Sequence, residues 1–209
     1  MSPESIASLT TAGGTLVLAV ATFSSTRSAN RASRIAERSL LASLRPVLVH
    51  AELGDPRQKI GYADQHWEHI EGPEAVFKVT DGVIYLAFGV RNVGSGIAIL
   101  QAWYPYPERV SGPQAHRPVE EFRTLTRSIY IPAGGVGFWQ GALRDPAEPI
   151  YADFEAAANA RQPVTIDVLY SDMNGGQQTV TRLFMLPGRE DRWVASVGRH
   201  WLLNDHAGR

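Results

Sequence analysis

Cysteine is absent from all 209 residues. That excludes disulfides, thiolate-bound metals and cysteine nucleophiles, and it suits a reducing compartment. Lysine occurs only at 59 and 78, leaving 18 of the 20 basic residues as arginine. With abundant alanine, this bias points to a GC-rich bacterial genome. The net charge is −1, so there is no global electrostatic basis for binding nucleic acid. Internal repeats and low-complexity runs are missing. So are the common catalytic signatures. Gly134-Gly135-Val136-Gly137 lacks the Lys-Ser/Thr ending of a phosphate loop, and no serine sits in a nucleophile elbow.

Long apolar runs are also scarce, with one exception. Ile6 to Ser25 carries no charged residue, and Arg27, Arg31, Arg34 and Arg38 follow it. About 20 mainly apolar residues are needed to cross a bilayer, so residues 1–26 are predicted to form a membrane anchor. Ser8, Thr10, Thr11, Gly13 and Gly14 dilute its first half. Two other readings compete: a cleaved signal peptide, from Ala19-Val20-Ala21, and a buried soluble helix. The signal peptide lacks a basic N-terminal region. Ser8/Ala12 and Thr10/Gly14 give small-xxx-small spacings through which two anchors could pair.

Residues 27–45 are predicted to continue the helix as a basic arm, stopped by Pro46. The four arginines are spaced +4, +3, +4 and form one helical stripe, a candidate contact for lipid head groups. Their place after the anchor predicts an outside N-terminus and a cytoplasmic domain. A cleaved or inverted anchor would make that domain extracytoplasmic.

From Pro46 the period of the pattern is two. Strands are predicted over 46–53, 76–79, 83–92, 97–106, 122–132, 136–143, 164–170, 177–186 and 193–203, with 54–75 irregular and a short helix within 145–160. Asp81-Gly82 and Asn174-Gly175-Gly176 read as turns. Many short strands without alternating helices predict that residues 46–209 form an antiparallel immunoglobulin-like β-sandwich.

Arg45-Pro46, the turn Asn92-Val93-Gly94-Ser95-Gly96-Ile97-Ala98 and the hairpin Tyr170-Ser171-Asp172-Met173-Asn174-Gly175 resemble motifs of uncharacterised bacterial single-pass membrane proteins. In those an N-terminal membrane helix and a helical arm lead into a β-sandwich. The resemblance implies that fold and brings no activity, cofactor or catalytic residue. In the residues themselves, Gly94 and Gly96 suit positive φ or close backbone approach, Asn92 suits bonds to nearby backbone, and Asp172 suits a turn.

Chemistry-bearing clusters are few. His66-Trp67-Glu68-His69 offers two imidazoles and a carboxylate, with His200 and His206 as distant candidates; its i, i+3 spacing differs from the helical H-E-x-x-H zinc form. Arg182 shares a strand face with Val180, Phe184 and Leu186, so it needs a carboxylate, Asp172 or Asp167. Tyr104 and Tyr106, beside Trp103 and a proline-rich loop, are candidates for a partner-protein surface. The expected function is therefore binding or assembly with another protein at the cytoplasmic face of the cell membrane, without a cofactor. The alternative is a tethered enzyme or metal-binding protein using His66 and His69.

Overall fold

The computed structural model describes residues 3–203, with side chains from residue 18 onward except that of residue 38. The chain divides between Ser43 and Leu44 into two compact units.

The first unit is one helix, α1 (Pro3–Ser43). The predicted anchor and arm are thus a single element, because 28–44 has no Gly or Pro and consists largely of helix formers. Thr22 and Thr26 donate to the carbonyls of Leu18 and Thr22, both at 2.8 Å, which is how hydroxyls tolerate helix interiors. All its described side chains are exposed, including Leu18, Val20, Phe23 and the arginines at 27, 31 and 34. Among the described residues no helix is long and apolar enough to cross a membrane. Residues 6–17 of the expected span, with the Ser8/Ala12 and Thr10/Gly14 spacings, and the Arg38 side chain lie outside the described side chains.

The second unit is mainly antiparallel β. Its strands are β1 (Leu48–His50), β2 (Gln58–Gly61), β3 (Trp67–Ile70), β4 (Glu74–Thr80), β5 (Val83–Asn92), β6 (Ala98–Tyr106), β7 (Arg123–Ile131), β8 (Val136–Leu143), β9 (Val164–Ser171), β10 (Gln178–Pro187) and β11 (Trp193–Leu202), with one helix, α2 (Pro149–Asn159). Nine of the strands make one sheet that curls into a half-barrel, and β2–β3 is a separate hairpin.

The sheet has two halves. In the first, β8 pairs with one edge of β5, while β4 and β1 share the other edge. In the second, the order is β11-β10-β9-β6-β7. Among the described residues the ladder that joins the halves has two residue pairs, Trp193↔Ala75 and Val194↔Glu74. At the opposite side β7 and β8 form no ladder with each other, so each keeps an unpaired edge among the described residues.

Alternation explains the core. Ile84, Leu86, Phe88 and Val90 of β5 pack with Val164, Ile166, Val168 and Tyr170 of β9, and α2 adds Tyr151, Phe154 and Ala157. The outward residues of β5 are buried as well, because hairpin β2–β3 covers them with Ile60, Tyr62 and Ile70. That hairpin lies in the stretch expected to be irregular. β1 is shorter than the expected 46–53, since only its middle finds a partner, Val90 to Asn92.

Candidate functional site

The three sequence motifs converge on one clasp. Asn92 is fully buried. Its Oδ1 accepts from the amides of Val47 (3.1 Å) and Gly94 (3.0 Å). Its Nδ2 donates to the carbonyls of Gly96 (2.7 Å) and Ile131 (3.1 Å). One amide thereby ties the start of β1, the turn and the end of β7 together. Ser95 N–H bonds the carbonyl of Arg45, and Arg45 Nε donates to Gln177 of the β9–β10 turn at 2.9 Å. Leu48 N–H donates to the Tyr170 hydroxyl, which meets Thr181 at 3.0 Å. Asp172 Oδ1 accepts from Gly176 N–H at 2.9 Å, shaping the turn. Gly94 and Gly96 do not adopt positive φ; their role is close approach. A Cβ on Gly94 would lie 2.3 Å from the Arg45 carbonyl oxygen, and one on Gly96 1.7 Å from that of Leu44. The bonds of the clasp hold the start of β1, the Asn92–Gly96 turn, the end of β7 and the β9–β10 hairpin together.

A second cluster lies on the outer face of β6, β9 and β10, under the loop 107–122. Arg182 and Asp167 are directly paired across β9–β10 and are 2% and 0% exposed. Arg182 Nε and Nη2 grip both carboxylate oxygens at 2.8 and 2.7 Å. Ladder register thus selects Asp167 over Asp172. Tyr106 donates to Asp167 at 3.1 Å, and its hydroxyl is pushed up to about 12 by burial and then by the Asp167 charge. It therefore stays protonated and acts as the donor. Arg182 remains charged because Asp167 outweighs the burial that works against it. The aromatic surface expected at Tyr104 and Tyr106 is covered instead: Tyr106 is buried, and half-buried Tyr104 packs on Tyr106 and Phe122 under Arg117.

His66 and His69 do not converge. His66 stacks on Tyr85 at 3.9 Å, and its Nε2 meets Glu68 at 2.7 Å. His69 is exposed and lies one strand position beyond Glu68, hence on the opposite face. Among the described residues no group of three His, Asp or Glu could hold a metal ion. Tyr85 donates to Asp64 at 2.8 Å; burial, then that bond, pushes it up to about 12.

A further concave feature is one that sequence reasoning missed. β7 and β8 leave their connecting turn close together, where a Cβ on Gly137 would be 3.0 Å from Ile131. Arg127 then bridges them to Gln140 at 2.9 Å. Beyond it they diverge around a cleft of about 230 Å³, lined by Thr124 and Thr126 of β7, Gln140 and Gly141 of β8, Tyr62 and Trp103. Gly141 makes room there: a Cβ would be 2.9 Å from Trp139 and 3.0 Å from Trp103. Opposite Leu100–Ala102 of β6, the register of β7 jumps from Ile129 to Thr124, so the intervening residues bulge from the ladder beside the cleft.

This geometry offers backbone donors and acceptors on two strand edges. Set against known protein families, curated proteins and solved structures, the chain finds no match.

Proposed function

We propose that the protein is a membrane-tethered, non-catalytic binding module whose β domain captures an extended segment of a partner protein in the cleft between β7 and β8. The observation that carries this reading is the pair of unpaired strand edges flanking that cleft. Such edges recruit a partner strand by backbone hydrogen bonds, with side-chain pockets supplying selectivity. In this reading the two halves of the sheet act as the layers of an immunoglobulin-like sandwich. The two-pair junction between β4 and β11 and the shared core between the halves support it. The uncharged segment Ile6–Ser25 is the tether, and the arginines after it favour a cytoplasmic domain.

A photo-crosslinking residue at Thr126 tests the capture site in cells. It is expected to yield a polypeptide adduct that the same residue at Asp81 does not, and Thr124→Trp, which fills the cleft from an exposed position, should abolish it. Equal labelling at both positions, or an adduct surviving Thr124→Trp, would overturn the reading. Flotation with membranes by the full chain, and its loss when the chain starts at Leu44, tests the tether separately.

A further inference from the structure

A second pocket lies on the outer face of β10 and β11, independent of the cleft. It has a volume of about 330 Å³, and Arg109, Arg182, Arg199, Val110, Phe184 and Gly198 line it. The arginines come from three separate segments. Arg182 and Arg199 are direct partners across β10–β11, a like-charge pairing that is unfavourable without a counter-charge. Among the described residues the one carboxylate in ion-pair contact with any of the three is Asp167, fully buried and engaged by Arg182. Arg109 stacks on Phe184 at 5.2 Å and Arg199 on Trp201 at 5.5 Å; neither meets a carboxylate among the described residues. Glu108, next in sequence, is exposed and forms no ion pair among them.

The pocket is built rather than incidental. Thr165 pins the loop on both sides of Arg109, accepting from Val110 N–H at 2.9 Å and donating to the Glu108 carbonyl at 2.8 Å. The register between β10 and β11 passes from Arg182↔Arg199 to Leu183↔Val197, so Gly198 is the extra residue of a β-bulge. A Cβ there would lie 2.7 Å from the Phe184 ring. Bulges re-aim neighbouring side chains and are frequent beside binding sites. Arg182 also has N–H capacity to spare. Of its five donors, Asp167 takes two, Tyr106 one and the Gln114 carbonyl one.

We propose that this pocket is an oxyanion site, which takes a phosphate or carboxylate group carried on a short apolar stem. Arg109 and Arg199 supply the charge and the forked donors that fit such groups, and Val110 and Phe184 receive the stem.

Calorimetric titration of the full chain in detergent tests this with three probes: inorganic phosphate, phenyl phosphate and benzoate. Saturable binding is expected, weakened by added salt. Phenyl phosphate should bind about tenfold tighter than phosphate if the stem contacts form, a gap of about 1.4 kcal/mol. The stronger of phenyl phosphate and benzoate identifies the oxyanion. Arg109→Gln/Arg199→Gln should weaken binding at least about tenfold without lowering the ligand-free Tm. Ser111→Asp, which sets a carboxylate at the rim from an exposed loop, should do the same. Absence of saturable heat with all three probes, or affinity that survives both variants, would overturn the proposal.

Discussion

The two halves of the curled sheet each hide their outer face, and they do it by different chemistry. Hairpin β2–β3 covers β4 and β5 with an apolar interface: Ile60, Tyr62 and Ile70 against Val76, Tyr85 and Ala87. Its polar contacts, Tyr85–Asp64 and His66–Glu68, lie at the margin. The loop 107–122 covers β6, β9 and β10 with little regular structure of its own. Its backbone must therefore find partners on the face beneath. Thr165 bonds Glu108 and Val110, and Arg182 donates to the Gln114 carbonyl at 3.1 Å. A hairpin brings its own backbone partners and asks only for apolar surface. An irregular cover asks for fixed polar groups, and this explains a buried Arg–Asp pair in the middle of a sheet face.

Breaking that pair should have the largest effect. Asp167→Ala leaves Arg182 buried without a counter-ion and is expected to cost about 3–5 kcal/mol in chemical denaturation. Asp167→Leu/Arg182→Met should recover most of the loss while leaving the loop more mobile in hydrogen exchange, because the bond to Gln114 is gone. On the other half, Ile70→Ala should cost about 2–3 kcal/mol and raise exchange in β2 and β3 while loop 107–122 stays protected. Coupled loss of protection in both covers would show that the halves are not independent. Thr165→Val removes two loop bonds at once and should cost about 1–3 kcal/mol, with faster exchange at Val110.

The smallest effect is one that both covers share. Tyr85 under the hairpin and Tyr106 under the loop are each raised from 10.0 to about 12, first by burial. In the unfolded chain they ionise near 10. Stability is therefore undiminished below pH 10 and falls as pH rises towards 12, because the unfolded state loses protons first. Tyr85→Phe and Tyr106→Phe should each flatten part of the alkaline limb of a Tm–pH curve; a limb unchanged in the double variant would refute the assignment.

Much of the β domain was legible in the sequence. Strands from β5 onward stand within a few residues of their alternating segments, because runs of seven or more residues repeat the period often enough to declare it. Hairpin β2–β3 was not legible: each strand is four residues long and contributes one fully buried side chain, Ile60 or Ile70. Two positions define no period. The partner of Arg182 was narrowed to two aspartates, and only the register of β9 on β10 decides between them. Gly96 was legible as special, yet the reason, the Leu44 carbonyl against it, arises from contact between distant segments. The cleft and the arginine pocket were invisible for the same cause. Each is assembled from strands and loops whose meeting depends on long-range topology, and no local pattern encodes which sheet edges stay unpaired.

The slender junction between β4 and β11 has a consequence during synthesis. β4 ends at Thr80, and its partner β11 begins at Trp193. At about 5–20 residues per second, the ribosome needs roughly 6–23 s to make the intervening chain. Throughout that interval β5 can zip onto β4 on one side, while the far edge of β4 lies bare. A bare edge is a template for neighbouring nascent chains. Glu74 and Lys78 stand near the two ends of that edge, flanking Ala75-Val76-Phe77, and charges at such positions discourage illegitimate pairing. In the folded domain β11 pairs with this edge at Glu74 and Ala75, so that end is most open to self-association on the polysome.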